Sequence, residues 1–371
     1  MNREYWSNRR VFVTGHTGFK GSWLCLLLAS LGARVKGYAL APPTQPSLYA
    51  LGRVEELVES DNGDIRDLDG LARCVESFAP EVVFHMAAQS VVLRSHEDPV
   101  ETYSTNVIGT VHVLESIRRM GRGCTVVNVT TDKCYENMGW VWPYRETDRL
   151  GGRDPYSSSK ACAELVGDAY RASFFPVSQL AKHGVAIASA RAGNVIGGGD
   201  WTPRQLVAET MSAFLQGRPV ALRQPQAVRP WQHVLDCLRG YLMLAEALAG
   251  DAAGVSGAWN FGPADAGGWT VGRVVDALGS LWGMDTPWVH DAAEHVREEP
   301  LLRLDTGKSA AYLGWRCILP TDQALRSVVA WYRGYRDGRD PRELCRDQIA
   351  DFCARVEEAT QAPSAASHRV V

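Results

Sequence analysis

A strand, a glycine-rich turn and the start of a helix follow one another in residues 11–22, which read Val11-Phe12-Val13-Thr14-Gly15-His16-Thr17-Gly18-Phe19-Lys20-Gly21-Ser22. The apolar run predicts a short buried strand, and the residues after the turn predict a helix over 22–31 that stops at Gly32. Glycine recurs as G-x-x-G-x-x-G. It lets the backbone approach a pyrophosphate, and a helix N-terminus offers unpaired N–H groups. The unit indicates a dinucleotide site, although such turns also exist for packing alone.

The alternation of strand and helix continues outward from this unit. Further strands are predicted at 34–40, 81–86, 124–129 and 184–188, and the longest helical stretch covers 99–120. We therefore expect an α/β fold of the Rossmann type, with a doubly wound parallel sheet and helices on both faces. Ligands bind at the carboxyl ends of the strands in such sheets, and Thr131, Asp132 and Lys133 lie at one of these ends.

The second half of the chain predicts a smaller, mixed α/β substrate-binding domain. After residue 188 the alternation weakens into a loop over 197–203, helices over 206–216 and 271–282, and a last segment over 302–315. Residues 229–233 are expected to open a further helix that ends near Ala249. We assign 1–190 to the dinucleotide-binding domain, with 230–262 returning to it, and 191–229 and 263–345 to the second domain. Residues 359–371, rich in Ala, Ser and Pro, are expected to form a disordered tail.

Composition excludes several classes of partner. The net charge is -3 and the pI is near 6.3, so no polycation is present to bind nucleic acid. The first residues lack the apolar core of a signal peptide, and the longest apolar stretch, over 23–33, is too short to span a bilayer. Nine cysteines occur without a C-x-x-C pair. We expect a cytoplasmic protein with reduced thiols and no metal, membrane or nucleic-acid partner.

Two segments carry the residues suited to chemistry. Tyr156 and Lys160 form a Tyr-x-x-x-Lys pair on one face of a predicted helix, where a lysine beside a tyrosine favours the phenolate. Thr131, Asp132 and Lys133 add an acid and a possible second base. One hydride transfer needs the Tyr/Lys pair alone, so the additional acid and base suggest that a further bond is broken. A structural salt bridge between Asp132 and Lys133 is the alternative.

The adenosine end of the predicted cofactor site is less defined. The second strand ends Gly37-Tyr38-Ala39-Leu40, without the acid that would bind a ribose and select NAD, which leaves NAD and NADP both open. Arg34 and Lys36 lie too early in the strand to be assigned to a 2′-phosphate. Asp64 follows the third strand, where it either holds the adenine amino group or caps the next helix.

Taken in order, these motifs resemble those of the extended short-chain dehydrogenases/reductases that act on nucleotide sugars. The shared segments are 15–21, Asp64-Ile65, Ala87-Ala88-Gln89, Thr131-Asp132, Tyr156-x-x-x-Lys160 and Arg191-x-Gly193-Asn194, and the resemblance covers residues 8–320. Within that superfamily the chain is most similar to the nucleotide-sugar 4,6-dehydratases that act on CDP-glucose, on segments 15–23, 131–135, 197–201 and 228–234. It carries Lys133 where the commoner dehydratase sequence has Glu.

The resemblance implies a reaction sequence. Tyr156, its pKa lowered by Lys160 and the nicotinamide charge, takes the proton of the sugar 4-hydroxyl while Thr131 holds the 4-oxygen. Hydride passes from C4 to the nicotinamide. Lys133 then removes the C5 proton, Asp132 protonates the leaving 6-hydroxyl, and hydride returns to C6. A dry site favours a protonated Asp132 and a neutral Lys133.

The resemblance also implies the cofactor, the oligomer and the contacts. The cofactor is NAD, tightly held and regenerated in each cycle, and the chain is a homodimer or a dimer of dimers built on the long helices of residues 99–120 and of Tyr156. The implied cofactor-binding residues are Gly15, Thr17, Gly18, Phe19, Lys20, Gly21, Asp64, Ile65, Ala87, Ala88, Gln89, Asn106, Tyr156 and Lys160. The implied substrate-binding residues are Ser90, Arg94, Thr131, Asn194, Arg204, Arg229 and Trp231.

Several of these assignments have a plainer alternative. Arginine suits a diphosphate, but Arg204 and Arg229 would also serve as surface residues. Asn194 could instead form a turn, and Trp231 and His233 could cap a helix or pack. Only Arg204 matches the Asp-Arg pair that the family often carries after the tryptophan at 201.

Two other functions fit the same scaffold. A nucleotide-sugar 4-epimerase would use Tyr156 but would not need Asp132 and Lys133. A catalytically silent NAD-binding protein would not need Tyr156, Lys160 and Thr131 together, so these residues argue against it.

Overall fold

A seven-stranded parallel sheet forms the centre of the molecule in the computed structural model, which describes residues 1–263, 268–291 and 301–361. The strands of this sheet are β1 (Arg10–Thr14), β2 (Arg34–Ala39), β3 (Glu59–Asn62), β4 (Val82–His85), β5 (Cys124–Val129), β6 (Val185–Ala192) and β11 (Gly257–Phe261). Their order across the sheet is β11-β6-β5-β4-β1-β2-β3. This arrangement confirms the predicted α/β fold of the Rossmann type.

Three pairs of short strands lie outside this sheet. They are formed by β7 (Asn194–Ile196), β8 (Val220–Leu222), β9 (Val228–Arg229), β10 (Trp231–His233), β12 (Trp269–Thr270) and β13 (Trp288–His290). β7 pairs with β10, β8 with β13 and β9 with β12. All six strands come from residues that follow β6 in the chain.

Sixteen α-helices are found in the described residues. They are α1 (Arg3–Trp6), α2 (Phe19–Ser30), α3 (Leu48–Leu51), α4 (Leu68–Phe78), α5 (Val92–Glu97), α6 (Pro99–Tyr103), α7 (Gly109–Met120), α8 (Pro155–Ser173), α9 (Leu180–His183), α10 (Leu206–Leu215), α11 (Val234–Gly250), α12 (Ala252–Val255), α13 (Val271–Trp282), α14 (Gly307–Leu313), α15 (Thr321–Arg336) and α16 (Pro341–Gln361). None of them has the length and apolar composition to cross a membrane.

The apolar pattern of the strands explains the layers. Along β1, Val11 and Val13 join one buried cluster and Phe12 joins another, because alternate side chains of a strand point to opposite faces. β4 and β5 are buried at every residue, as expected of parallel strands that helices cover on both sides. The register aligns the carboxyl ends of β1 and β4, since Thr14 is the partner of His85. These ends meet at the edge of the sheet where the site lies.

The predicted helix over 99–120 contains a change of helical type. α6 continues into a π-helical turn, Ser104–Ile108, which continues into α7. A π turn rotates the residues within it relative to a regular helix, and such turns are frequent at functional sites. Asn106 lies in this turn and is 1% exposed.

Three predictions of local structure need correction. α2 begins at Phe19, three residues earlier than expected, directly after the glycine turn. Residues 228–233 form β9 and β10 instead of opening a helix, and α11 begins at Val234 because the His233 side chain caps it by accepting the Leu235 N–H. α16 extends to Gln361, so residues 359–361 are helical and do not belong to a tail. The rest of the expected tail, 362–371, lies outside the described residues.

The division into two domains remains a prediction. Two elements within 230–262 contact the central sheet. α11 packs against β5 and β6, and β11 pairs with β6 at the end of the sheet.

Candidate active site

The glycine turn between β1 and α2 is closely packed. Gly15 has a φ of 76°, and a Cβ at this position would lie 2.7 Å from the amide nitrogen of Ala87. A Cβ at Gly21 would lie 2.2 Å from the carbonyl oxygen of Gly15. Both glycines are therefore required by the backbone itself. The packing role and the phosphate-binding role predicted from the sequence are compatible here.

The N-terminus of α2 fits a dinucleotide pyrophosphate. Gly18 is the N-cap residue, and no side chain caps this twelve-residue helix. The first N–H groups of a helix have no partner within it and carry a partial positive charge, which is a donor set suited to phosphate oxygens. The residues present thus fit the predicted cofactor, and Phe19, Lys20 and Gly21 lie in the first turn of this helix.

Side chains of the turn hold it to neighbouring elements. The Thr17 hydroxyl donates to the carbonyl oxygen of Leu40, just after β2, at 2.9 Å. Lys20 Nζ donates to the Tyr241 hydroxyl of α11 at 2.9 Å. These contacts position the turn over the carboxyl edge of the sheet.

At the adenosine end, charged side chains are paired with one another. Lys36 lies 3.0 Å from Asp61, and Arg34 lies 3.9 Å from Glu59 on the neighbouring strand. Asp64 accepts hydrogen bonds from the guanidinium and the backbone of Arg66, and the side-chain hydrogen bond holds the pKa of this carboxyl below its usual value. Both cations that could have attracted a 2′-phosphate are thus neutralised by β3. Ile65 is buried behind Asp64.

Asn106 joins the segment after β4 to α8. Its Oδ1 accepts the Gln89 N–H at 2.9 Å, and its Nδ2 donates to the Gln89 carbonyl at 2.9 Å and to Ser159 Oγ at 2.8 Å. The Ala87 N–H donates to Thr14 Oγ1 at 3.1 Å. Asn106 therefore supports both the predicted cofactor segment 87–89 and the helix of Tyr156 by direct hydrogen bonds.

Tyr156 and Lys160 lie buried on α8, as predicted from their spacing. Lys160 Nζ donates to the Val129 carbonyl at 3.1 Å, and burial together with the charge of Lys20 lowers its pKa to about 8. Burial raises the pKa of Tyr156, which a hydrogen bond with Thr131 partly opposes. Burial is the largest influence on this pKa, so without the nicotinamide charge the net shift is upward and not the predicted lowering. Any lowering then depends on the charge of a bound nicotinamide.

Asp132 lies in a turn of residues 130–135, called here the Asp132 turn, that follows β5. Its side chain is 2% exposed. Oδ1 accepts from the Thr131 hydroxyl at 3.0 Å, whereas Oδ2 has no hydrogen-bond partner among the described residues. Burial raises the pKa of Asp132, opposed mainly by the charge of Lys133. The site therefore favours the protonated acid that the predicted role requires.

Lys133 is half-buried next to Asp132. No ion pair joins the two side chains within the described part of the chain, so the alternative of a structural salt bridge is wrong. The backbone N–H of Lys133 donates to Thr131 Oγ1 at 3.3 Å. A 3-10 turn over Asp132–Cys134 replaces the strand here, which lifts the opposite-face constraint that adjacent strand residues would obey.

The expected substrate residues are not all brought to one place. Arg229 is buried, and its charge acts on Asp132. Asn194 is half-buried on β7, next to Gly193, whose Cβ would lie 3.1 Å from Asp132 Oδ2. Trp231 is 3% exposed in the main core, and its indole N–H donates to the Trp269 carbonyl at 3.2 Å. These contacts favour a packing role for Trp231, and its assignment to the substrate stays a prediction.

Three further assignments fall on exposed side chains. Arg94 pairs with Glu101 at 2.8 Å, and Ser90 is exposed. Arg204 pairs with Glu97 of α5 at 2.8 Å. Each arginine would have to leave a surface ion pair to bind the substrate.

Sequence reasoning gave no role to a buried ion pair beneath the Asp132 turn. Glu164 of α8 and Arg191 of β6 lie 2.5 Å apart, each with a side chain 3% exposed. The spacing contained a signal, because Glu164 follows Lys160 by four residues and so shares its helix face. No cluster of three or more His, Cys, Asp or Glu in the described ranges is arranged to hold a metal ion.

Comparison with known proteins gives related sequences across almost the whole chain. Residues 12–327 match the family model described as GDP-mannose 4,6 dehydratase. The chain is 48% identical over 352 residues to a CDP-glucose 4,6-dehydratase of Salmonella typhimurium, covering 95% of this chain and 98% of the relative. It is 31% identical over 343 residues to a dTDP-glucose 4,6-dehydratase of Streptomyces antibioticus, covering 89% and 94%.

Solved structures share the same fold. A dTDP-glucose 4,6-dehydratase from Streptomyces venezuelae with NAD and TYD bound superposes with a TM-score of 0.74 at 27% identity, covering 90% of this chain and 99% of the other. A UDP-glucose 4-epimerase of Thermus thermophilus in complex with NAD gives a TM-score of 0.71 at 28% identity, covering 88% and 99%.

Proposed function

The chain belongs to the GDP-mannose 4,6 dehydratase family within the extended short-chain dehydrogenases/reductases, and from this premise we propose that it is an NAD-dependent CDP-glucose 4,6-dehydratase. It converts CDP-D-glucose to CDP-4-dehydro-6-deoxy-D-glucose. The 48% identity to the Salmonella typhimurium enzyme supports the substrate. The observation that carries the reaction type is Asp132, a buried carboxyl with one oxygen unpaired among the described residues, next to the hydrogen-bonded Thr131 and Tyr156.

NAD, held tightly and regenerated within each turnover, would supply a hydride acceptor and donor for the reaction. Gly15, Gly18 and Gly21 would hold its pyrophosphate against the start of α2. Segment 87–89, held in place by Asn106, forms one wall of its site. The paired charges of β2 and β3 leave the adenosine end without a free cation in the described residues, which supports NAD over NADP.

Tyr156 is the base for the 4-hydroxyl proton. Thr131, hydrogen-bonded to the phenol, orients the 4-oxygen toward it. Lys160 lies one turn after Tyr156 on the same face of α8, and its ammonium donates a hydrogen bond to the Val129 carbonyl. Its ammonium stabilises the phenolate once the proton has moved.

Asp132 and Lys133 carry out the elimination. The ketone formed at C4 acidifies the C5 proton, which Lys133 removes. Asp132, whose pKa burial raises, donates its proton to the 6-hydroxyl, which leaves as water, and a protein group returns a proton to C5 when hydride reaches C6. Arg229 and Asn194 contact the substrate from the side of β7 and β9, and Arg229 is the arginine best placed for the diphosphate because it is already buried beside Asp132. The product is the precursor of a deoxysugar.

The test is to incubate the purified protein with CDP-glucose and NAD and to measure the mass of the sugar nucleotide. Loss of one water supports the dehydratase. An unchanged mass with an inverted C4 would identify a 4-epimerase, and turnover of another nucleotide-glucose alone would identify a dehydratase of different base specificity. Cofactor binding without any turnover would indicate the silent NAD-binding protein.

We also propose that the chain forms a homodimer, or a dimer of dimers, in the cytoplasm. Val100, Tyr103, Ile108 and Leu165 expose apolar surface on α6, the π turn and α8, which supports an interface of these helices. All nine cysteines are free, which supports a reducing compartment. Light scattering tests the oligomer, with Ile108→Glu expected to give monomers. A wild-type monomer would contradict the interface.

A further inference from the structure

The Asp132 turn rests on the buried ion pair of Glu164 and Arg191. Two bonds join the pair, from Arg191 Nη2 to Glu164 Oε2 at 2.5 Å and from Arg191 Nε to Glu164 Oε1 at 2.8 Å. This parallel, two-point geometry is the most directional that charged side chains form. The pair thus fixes α8 relative to β6 beneath the turn.

The pair also contacts the turn at three of its residues. Thr130 Oγ1 donates to Glu164 Oε1 at 2.6 Å, and Cys134 Sγ lies 3.5 Å from the same oxygen. Arg191 Nη1 donates to the Tyr135 hydroxyl at 2.7 Å. These residues flank Asp132 and Lys133 on both sides, so the pair holds both ends of the turn.

Beyond the turn, the network reaches the last strand of the sheet. The Tyr135 hydroxyl donates in turn to Asn260 Oδ1 of β11 at 2.8 Å, and Arg191 Nη1 also donates to the Glu146 carbonyl at 3.2 Å. The Arg191 guanidinium lies 4.7 Å from the centre of the Tyr135 ring. The position of Tyr135 is therefore set by Arg191 and Asn260.

Glu164 is on the helix that carries Tyr156 and Lys160, eight and four residues earlier. We infer that the Glu164–Arg191 pair is a positioning device that sets Asp132 and Lys133 relative to Tyr156. It links the residues that oxidise C4 to those that eliminate water. This inference rests on the proposed dehydratase function. It can be tested because oxidation at C4 and elimination of water are two stages that can be measured separately.

Removing the pair affects the two stages unequally. Tyr156 and Lys160 keep other supports, namely the Asp154 cap of α8, the Asn106–Ser159 bond and the Val129 carbonyl. The Asp132 turn contains only a three-residue 3-10 helix, and its residues Thr130, Cys134 and Tyr135 contact the pair through their side chains. Loss of the pair therefore lets Asp132 and Lys133 move while the oxidising residues stay in place.

The test compares Glu164→Gln and the milder Tyr135→Phe and Thr130→Val with wild-type enzyme in single turnovers of CDP-glucose. The near-ultraviolet absorbance of the reduced cofactor reports C4 oxidation, and deuterium uptake from D₂O at C5, read by mass, reports the proton removal that begins elimination. We expect elimination to slow by about 10²-fold in Glu164→Gln, while oxidation changes little, so that reduced cofactor accumulates.

Asp236→Asn is the matched control, because Asp236 is a buried carboxyl of α11 that accepts the N–H groups of Ile318 and Leu319, away from the turn. Its variant loses stability without accumulating reduced cofactor. If oxidation and elimination fall in parallel in the Glu164, Tyr135 and Thr130 variants, as in this control, the pair is merely structural and the inference is overturned.

A second measurement needs neither cofactor nor turnover. Cys134 is fully buried against Glu164, so its alkylation in cofactor-free protein, mapped by mass spectrometry, reports the mobility of the turn. We expect faster alkylation of Cys134 in Glu164→Gln but not in Asp236→Asn. Equal protection in both variants would also overturn the inference. A wild-type protein that leaves CDP-glucose unchanged would instead refute the proposed function, whatever the alkylation shows.

Discussion

Gly193 faces the unpaired oxygen of Asp132 so closely that a β-carbon at residue 193 would lie 3.1 Å from Asp132 Oδ2. The same β-carbon would lie 2.5 Å from Pro230 Cγ and 3.1 Å from the Pro230 carbonyl oxygen. Glycine at residue 193 therefore leaves space for the Asp132 carboxyl. It also allows Pro230, the residue before β10, to pack closely against the backbone at residue 193.

We expect Gly193→Ala to reduce kcat by about tenfold to a hundredfold, because a shift of the Asp132 carboxyl misplaces the proton donor. Steady-state kinetics with CDP-glucose measures the effect. Gly250→Ala is the control, since a Cβ at residue 250 meets nothing within 4 Å. Unchanged kcat in Gly193→Ala would mean that the Asp132 carboxyl is not constrained from this side.

Replacing Lys133 should separate oxidation from elimination. Lys133→Gln removes the base for the C5 proton, so product formation is expected to fall by about 10²- to 10⁴-fold while C4 oxidation continues. The loss of deuterium incorporation at C5 in D₂O is the decisive measurement. Lys133→Glu supplies a carboxylate base at the same position and should restore part of the exchange. Full exchange in Lys133→Gln would assign the proton to another base.

Lys160 is expected to limit stability at neutral pH. Its pKa is about 8 in the folded chain against 10.5 unperturbed, so between these values the unfolded chain binds more protons and stability rises with pH. Below pH 8 the buried charge costs about 3 kcal/mol. Lys160→Met should therefore be more stable than wild type at neutral pH, by less than that amount because the bond to Val129 is lost. Its advantage should shrink above about pH 10, and its activity should fall by about 10²-fold.

Urea unfolding of cofactor-free protein at neutral pH and above about pH 10 measures the stability difference between Lys160→Met and wild type. A variant less stable than wild type at neutral pH would contradict the prediction.

Trp231 should matter for stability and not for substrate affinity. Trp231→Ala is expected to lower the free energy of unfolding by about 3–5 kcal/mol, because it empties a buried site in the main core. Trp231→Phe should retain the wild-type KM for CDP-glucose. The exposed Trp142, replaced by alanine, is the control for stability. A large rise of KM in Trp231→Phe at full stability would return this residue to the substrate site.

The sequence predicts those features that depend on local pattern. The apolar runs of β1, β4 and β5 and the glycine turn before α2 were sufficient for the parallel sheet and its dinucleotide edge. The four-residue spacing of Tyr156 and Lys160 was sufficient for their common helix face. Features that depend on distant residues were not predicted. The Arg191–Glu164 pair joins a strand to a helix 27 residues away, and the strands at 228–233 exist because β7 and β12 pair with them.

The same limit explains the errors in charge and burial. Nothing in the local sequence shows that Trp231 packs in the core. Nor does it show that Arg94 forms an ion pair with Glu101, or that Arg204 forms one with Glu97. The pKa of Tyr156 was predicted from two charges, those of Lys160 and of the nicotinamide. Its burial, which raises the pKa, results from the whole packed site.

The late position of β11 in the chain has a consequence for synthesis. β6 is apolar except for Ser189 and Arg191, and it forms an open edge of the sheet until residues 257–261 pair with it. On the ribosome, a nascent chain that has emerged only as far as residue 192 presents this edge, together with the buried charge of Arg191, to the cellular milieu. An open apolar edge is a template for pairing with other chains. Translation of residues 193–261 is thus the interval during which this edge stays open to other chains.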